Sequence, residues 1–220
     1  MIFCFSDMDF DEVLRKYGGL ISPNDTVILS REITGMVDLP AELNGYSHVF
    51  RELITLSRDK EIILIVSMRA KIEDRLYNCS MLVDKGTVLG VSDEIYPIKG
   101  YEQGKTVRSY LTSRGKVCLF VDSDVCYPQL WKGCFDGCRY IFSLNSTTLN
   151  KERVNAARTL ARATGRYVLA QFCDECVCIN PYGKIESVKR GRTAAFYLPI
   201  SLVKGYAVDR QIKFVEERGD

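Results

Sequence analysis

Apolar positions along this chain follow two alternating rhythms. Short runs of β-branched and aromatic residues are separated by stretches in which apolar side chains recur every three or four positions. Phe10, Val13, Leu14 and Tyr17 fall at i, i+3, i+4 and i+7, which predicts an amphipathic helix stopped by Gly18. Phe50, Leu53, Ile54 and Ser57, with Leu56 beside them, predict a second helix ahead of a strand from Ile62 to Met68. A third, short helix opens with Pro128 in its first turn and ends near Gly137. The fourth and longest sets Val154, Ala157, Ala161 and Thr164 on one face and ends at Gly165. Strands are predicted at 26–30, 62–68, 77–84, 87–91, 117–122, 139–144, 167–172, 176–180 and 193–197. Pattern alone therefore gives a mixed α/β protein.

One break in the pattern carries chemistry. Val117 to Val121 is apolar enough to be a strand covered on both faces, and it ends abruptly at Asp122, Ser123 and Asp124 before Tyr127-Pro128-Gln129-Leu130 begins a helix. Side chains at such an elbow project into the crevice at the strand's carboxyl end.

Around this elbow the chain resembles the nitrilase, or carbon-nitrogen hydrolase, superfamily. Members carry a cysteine, an Asp two residues on, an aromatic-Pro pair and a Glu-Leu-like helix start; Asp122, Asp124, Tyr127, Pro128 and Leu130 occupy those places. The nucleophile position is thus an aspartate, and Cys126 stands where an arginine is usual. The resemblance continues in order along the chain. Thr26 to Gly35 is similar to the strand and turn that deliver the general-base glutamate, which would be Glu32. Arg75 to Pro97 is similar to the Tyr-Asn strand, hairpin and outgoing strand, where the catalytic lysine is replaced by Asp93 or Glu94. Gly100 to Lys105, Asn155 to Gln171 and Ile179 to Ile185 resemble the later loop, helix-strand and hairpin blocks. The resemblance implies one domain over 1–220, folded as a four-layer α-β-β-α sandwich of two mixed sheets packed face to face with helices outside. It also implies a homodimer formed beside the elbow, through the region around Trp131; simple core packing is the other reading of that tryptophan. The chain looks shortened around the pocket, between Ser143 and Lys151 and between Gln171 and Ile179.

Hydrolysis on this scaffold needs a thiolate to attack carbon, a glutamate to move the proton and a lysine to hold the oxyanion. An aspartate attacking an amide forms an intermediate from which the carboxylate leaves more readily than the amine, so the reaction reverts. An acid at the lysine position opposes the developing negative charge. If Glu32, Asp122 and Asp93 or Glu94 meet in one pocket, each like-charged pair at about 4 Å costs roughly 4 kcal/mol at an effective dielectric near 20. Protonation, a cation such as Arg31 or Lys99, or a divalent metal would have to compensate. Asp93 and Glu94 facing solvent would shrink the cluster to Glu32 and Asp122. Two functions follow: a nitrilase-fold protein without the hydrolytic activity, acting as a binding or oligomeric partner with a small-molecule ligand, or a hydrolase rebuilt on carboxylates, with or without a metal, acting on carbon-nitrogen bonds other than peptide bonds.

Composition narrows the partners. The 220 residues are 46% hydrophobic, enough for one substantial core. With 30 basic and 28 acidic residues the formal charge is +2, which favours neither nucleic acid nor an anionic membrane. No apolar stretch reaches the roughly 18 residues of a membrane span. The opening MIFCFSD lacks the basic leader of a secretion signal, and nine cysteines then point to a reducing, cytoplasmic setting. The Cys173, Cys176, Cys178 run is explained by a two-residue turn at Asp174-Glu175 that sets Cys173 opposite Cys176; a metal or redox role lacks a second ligand pair. Cys126 as a displaced nucleophile, the sole histidine His48 at a helix start, and Lys189 to Arg192 as a solvated turn complete the candidates. No cofactor is implied.

Overall fold

A computed structural model describes residues 1–196 except 7, 9, 32–34, 45, 136 and 192. The described chain runs β1 (Ile2–Phe5), α1 (Phe10–Tyr17), β2 (Thr26–Leu29), β3 (Met36–Asp38), α2 (Leu39–Leu43), α3 (Val49–Asp59), β4 (Ile63–Ile72), β5 (Arg75–Asp84), β6 (Thr87–Asp93), β7 (Ser109–Thr112) and β8 (Gly115–Val121). Two short 3₁₀ turns, Asp122–Cys126 and Pro128–Trp131, lead into α4 (Lys132–Phe135). β9 (Tyr140–Leu144), α5 (Lys151–Thr164), β10 (Tyr167–Gln171), β11 (Glu175–Ile179), β12 (Ile185–Arg190) and β13 (Thr193–Phe196) follow.

The strands form two mixed sheets. One has the order β13-β1-β2-β4-β5-β6, with β3 also pairing β4; the other has the order β12-β11-β10-β9-β8-β7. Alternation along the central strands sorts the core into three seams. Ile28, Ile65, Leu82, Leu119, Phe142 and Leu169 fill the space between the sheets. Val27, Leu64 and Met81 face the other way, onto Val13, Leu53 and Leu56 of α1 and α3. Phe120, Ile141 and Val168 pack on Cys134, Ala157, Leu160 and Ala161 of α4 and α5. The result is the four-layer α-β-β-α sandwich.

Three of the strands that pattern does not predict have a common physical reason. β3 is three residues long, β7 exposes Leu111, and β12 is exposed at five of six positions, so none shows an apolar alternation. The hairpin after β10 also differs from expectation. Gln171, not Cys173, lies opposite Cys176, and Phe172 N donates to Glu175 O at 2.7 Å. The turn is therefore Cys173-Asp174, held because Cys173 N donates to Thr147 O and Leu149 N to the Asp174 carboxylate.

Candidate functional site

The end of β8 builds the site. Asp122 sits at φ 48°, in the left-handed region, so the strand stops at Val121 and the side chain is thrown out of the sheet plane; Asp is among the few non-glycine residues that tolerate this. Asp122 is 4% exposed. Its Oδ2 accepts from Asn78 Nδ2 at 2.6 Å and from Ser146 Oγ, while Oδ1 accepts from Ser146 N at 3.1 Å and from Arg153 Nη1. A carboxylate offers about four lone-pair sites, and all four are engaged.

Arg153 is the cation that answers Asp122. It lies in the first turn of α5, whose N-cap Asn150 accepts from Glu152 N and Arg153 N. The same Nη1 also reaches Asn145 Oδ1 and Thr147 Oγ1, both at 3.2 Å. Of the two cations expected from sequence, Arg31 donates at 3.4 Å to the carbonyl of Ser146, the residue whose N and Oγ bond Asp122, and Lys99 is exposed. One signal for Arg153 was present. A basic side chain in the first turn of a helix opposes the macrodipole, so one that turns inward there needs an acid.

The two acids at the lysine position separate. Glu94 is 2% exposed and its Oε2 accepts from the same Asn78 Nδ2, at 2.7 Å, that serves Asp122. Its Oε1 accepts from Ser123 N at 3.2 Å and Ser123 Oγ at 2.8 Å. The amide just past the elbow is thus already occupied by an internal carboxylate. Burial raises the Glu94 carboxyl above the ordinary carboxylate range, the Asn78 bond lowers it and the Asp122 charge raises it further. Asp93, the last residue of β6 and opposite Cys79, lies apart from this network. Burial raises it too, opposed by Arg108. Glu32 lies outside the described residues.

Asp124 joins the cluster as its third described carboxylate. It accepts from Ile95 N at 3.0 Å and from Tyr96 N at 3.2 Å, tying the segment after β6 to the elbow. Burial pushes its carboxyl up to about 7 against the pull of those amides, with Glu94 and Asp122 adding to the rise.

Trp131 is 7% exposed and its Nε1 donates to Val125 O at 2.9 Å, so its ring packs in the core under α4 and α5 and is not a surface anchor. Cys126 is half-buried, and burial raises its thiol, leaving it protonated at neutral pH and a poor nucleophile. Cys176 and Cys178 are buried between the sheets against Cys4, whereas Cys173 stays in the turn. Among the described residues no three His, Cys, Asp or Glu side chains are grouped to hold a metal ion. No described helix is long and apolar enough to cross a membrane.

No family model matches the chain, and no curated protein is similar to it in sequence. Solved structures are similar in fold over nearly its whole length. A carbon-nitrogen hydrolase from Helicobacter pylori G27 superposes with a TM-score of 0.72 at 14% identity, covering 99% of this chain and 94% of that one. Saccharomyces cerevisiae Nit3, a member of branch 10 of the nitrilase superfamily, gives 0.71 at 15% identity over 100% and 94%. An amidase from Nesterenkonia sp. AN1 in complex with butyramide gives 0.73 at 13% identity over 99% and 96%. The architecture that carries Asp122, Glu94 and Asp124 at its elbow is thus the carbon-nitrogen hydrolase, or nitrilase, fold.

Proposed function

We propose that this chain is a nitrilase-fold protein that binds but does not hydrolyse amides or nitriles, and that it acts as a binding or oligomeric partner in a reducing compartment. The observation that carries this reading is the saturated Asp122. Each of its oxygens already accepts two hydrogen bonds, one of them from a guanidinium, so no lone pair is free to attack carbon. In the Nesterenkonia amidase the active-site residue that takes up acrylamide is a cysteine. Here Glu94 also covers the amide of Ser123, a donor that could otherwise meet an oxyanion.

The test is turnover. Purified protein is expected to release no ammonia from butyramide or from a short aliphatic nitrile, and Asp122→Cys combined with Glu94→Lys is expected to gain a measurable rate. Release of ammonia by the unaltered chain that disappears in Glu32→Gln would overturn the proposal. The oligomeric part has its own measurement. Phe135 on α4 is 41% exposed beside the half-buried Leu130, and this is the surface left for a dimer once Trp131 is withdrawn into the core. Phe135→Glu is expected to shift the light-scattering mass from dimer to monomer; an unchanged mass would remove this face.

A further inference from the structure

A groove of about 670 Å³ runs along the outer face of the second sheet, between α5 and the edge strand β12. α5 packs on β10 and β11 but leaves β12 exposed at five of six positions. Val177 lies opposite Val188 on the face that α5 covers, and Ile185 continues that face toward the start of β12. Val188 is nonetheless 42% exposed and Ile185 37%. With Val154 of α5 as its wall, the groove is an apolar trough at an open sheet edge, a place that folded proteins usually cover.

The α5 wall is basic at both ends. The side chain of Lys151, at the elbow end, has no hydrogen bond or ion pair among the described residues. Arg158, two turns on, donates from Nε to Gly183 O at 2.9 Å, where β11 turns into β12. Glu175, the one acid among the described residues that line the groove, is already paired with Arg190 at 2.9 Å. The occupant that fits is an apolar strip with acids along the flank that meets α5.

The chain carries such a strip after β13. At 100° per residue, Ala207, Val208, Ile212, Phe214 and Val215 fall within one half of a helical wheel, between Gly205 and Gly219. Asp209 and Glu216 flank that half beside Ile212, seven positions apart, the same spacing as Lys151 and Arg158. The reach is sufficient. Gln171 Nε2 on Phe5 O joins the carboxyl ends of β1 and β10, so Phe196, opposite Ile2, lies at the end of the sandwich where β12 begins. Residues 197–205, extended, span about 30 Å, and the way around the edge of β12 is roughly 20 Å, one sheet spacing and one layer.

Direction then sets the pairing. A helix over 206–217, about 18 Å long, enters at the Ile185 end and runs toward the elbow. α5 runs the opposite way, from the end of β9 to the start of the parallel strand β10. The right-handed β9-α5-β10 crossover fixes the side of α5 on which β12 lies. A right-handed helix laid there with its apolar half on the sheet turns the Asp209 and Glu216 flank toward α5, Asp209 to Arg158 and Glu216 to Lys151.

We infer that residues 206–217 form an amphipathic helix that lies in the groove between α5 and β12 of the same molecule, with Glu216 against Lys151. The test is hydrogen exchange of the full chain, read by mass spectrometry on peptides covering 206–217. Exchange slowed at least about tenfold relative to an unfolded peptide is expected. Lys151→Glu, which suits the positive end of α5, is expected to reduce that protection about threefold, and adding Glu216→Lys to restore it. Val188→Asp, at an exposed strand position, is expected to abolish it. A cooperative melt establishes that each variant folds. Unprotected amides in the unaltered chain, protection that neither single substitution changes, or a double variant no better than Lys151→Glu alone would overturn the inference. Protection that disappears on dilution would assign the groove to the tail of a second copy and overturn the placement within one molecule. Asp122, Glu94 and Asp124 do not line the groove, so the outcome is independent of any turnover of butyramide.

Discussion

Arg153→Ala is expected to destabilise the protein by about 3–5 kcal/mol, because it leaves Asp122 buried, charged and uncompensated. In a chain of this length that corresponds to a fall of roughly 10 °C in Tm. The side chains of the pair are 15% and 6% exposed, so solvent screens the loss only slightly. Asp122→Asn is expected to cost less, since Asn tolerates the left-handed φ of 48° and Arg153 retains Asn145 and Thr147 as acceptors. The double variant should cost less than the sum of the two, and the difference measures the coupling. Urea unfolding of the four proteins decides the matter. If Arg153→Ala cost under about 1 kcal/mol, the pair would be worth no more than a surface salt bridge.

The elbow was legible in the sequence because it is local. An apolar strand ends at three polar residues, and a proline-led turn follows at once, so the place of Asp122 at a strand end could be read from a dozen neighbours, though not its burial. Its partners could not. Asn78, Ser146 and Arg153 lie 44, 24 and 31 residues away and reach Asp122 only through the packing of the two sheets, which brings β5 to the end of β8, the pairing of β8 with β9 and the packing of α5. Burial first and then the Asp122 charge raise the Glu94 carboxyl, and a single amide group serves both carboxylates, which no local pattern indicates. That group is the side chain of Asn78. Trp131 was ambiguous for a related reason: an aromatic after a proline-led turn fits a core or an interface equally well. Its burial and its bond to Val125 O place the ring in the core.

The same network fixes the direction in which pH acts on stability. Asp124 has its carboxyl raised to about 7 in the folded protein, chiefly by burial, against an ordinary value of about 3.9. Between these limits the folded state holds a proton that the unfolded state has lost, so stability falls as pH rises. Its contribution is fully present below about 3.9 and is lost as pH rises through about 7. Glu94, raised for the same first reason, acts with the same sign. The unfolding free energy is therefore expected to be roughly 3 kcal/mol lower at pH 8 than at pH 5 from Asp124 alone, at about 1.4 kcal/mol per decade. Asp124→Asn removes the titrating group while keeping an oxygen for Ile95 N and Tyr96 N, and should flatten the profile over this range. Urea midpoints at half-unit pH steps for both proteins measure it. A profile that rises from pH 5 to 8, or one left unchanged by Asp124→Asn, would mean that the amides of Ile95 and Tyr96 outweigh burial and hold the carboxylate ionised.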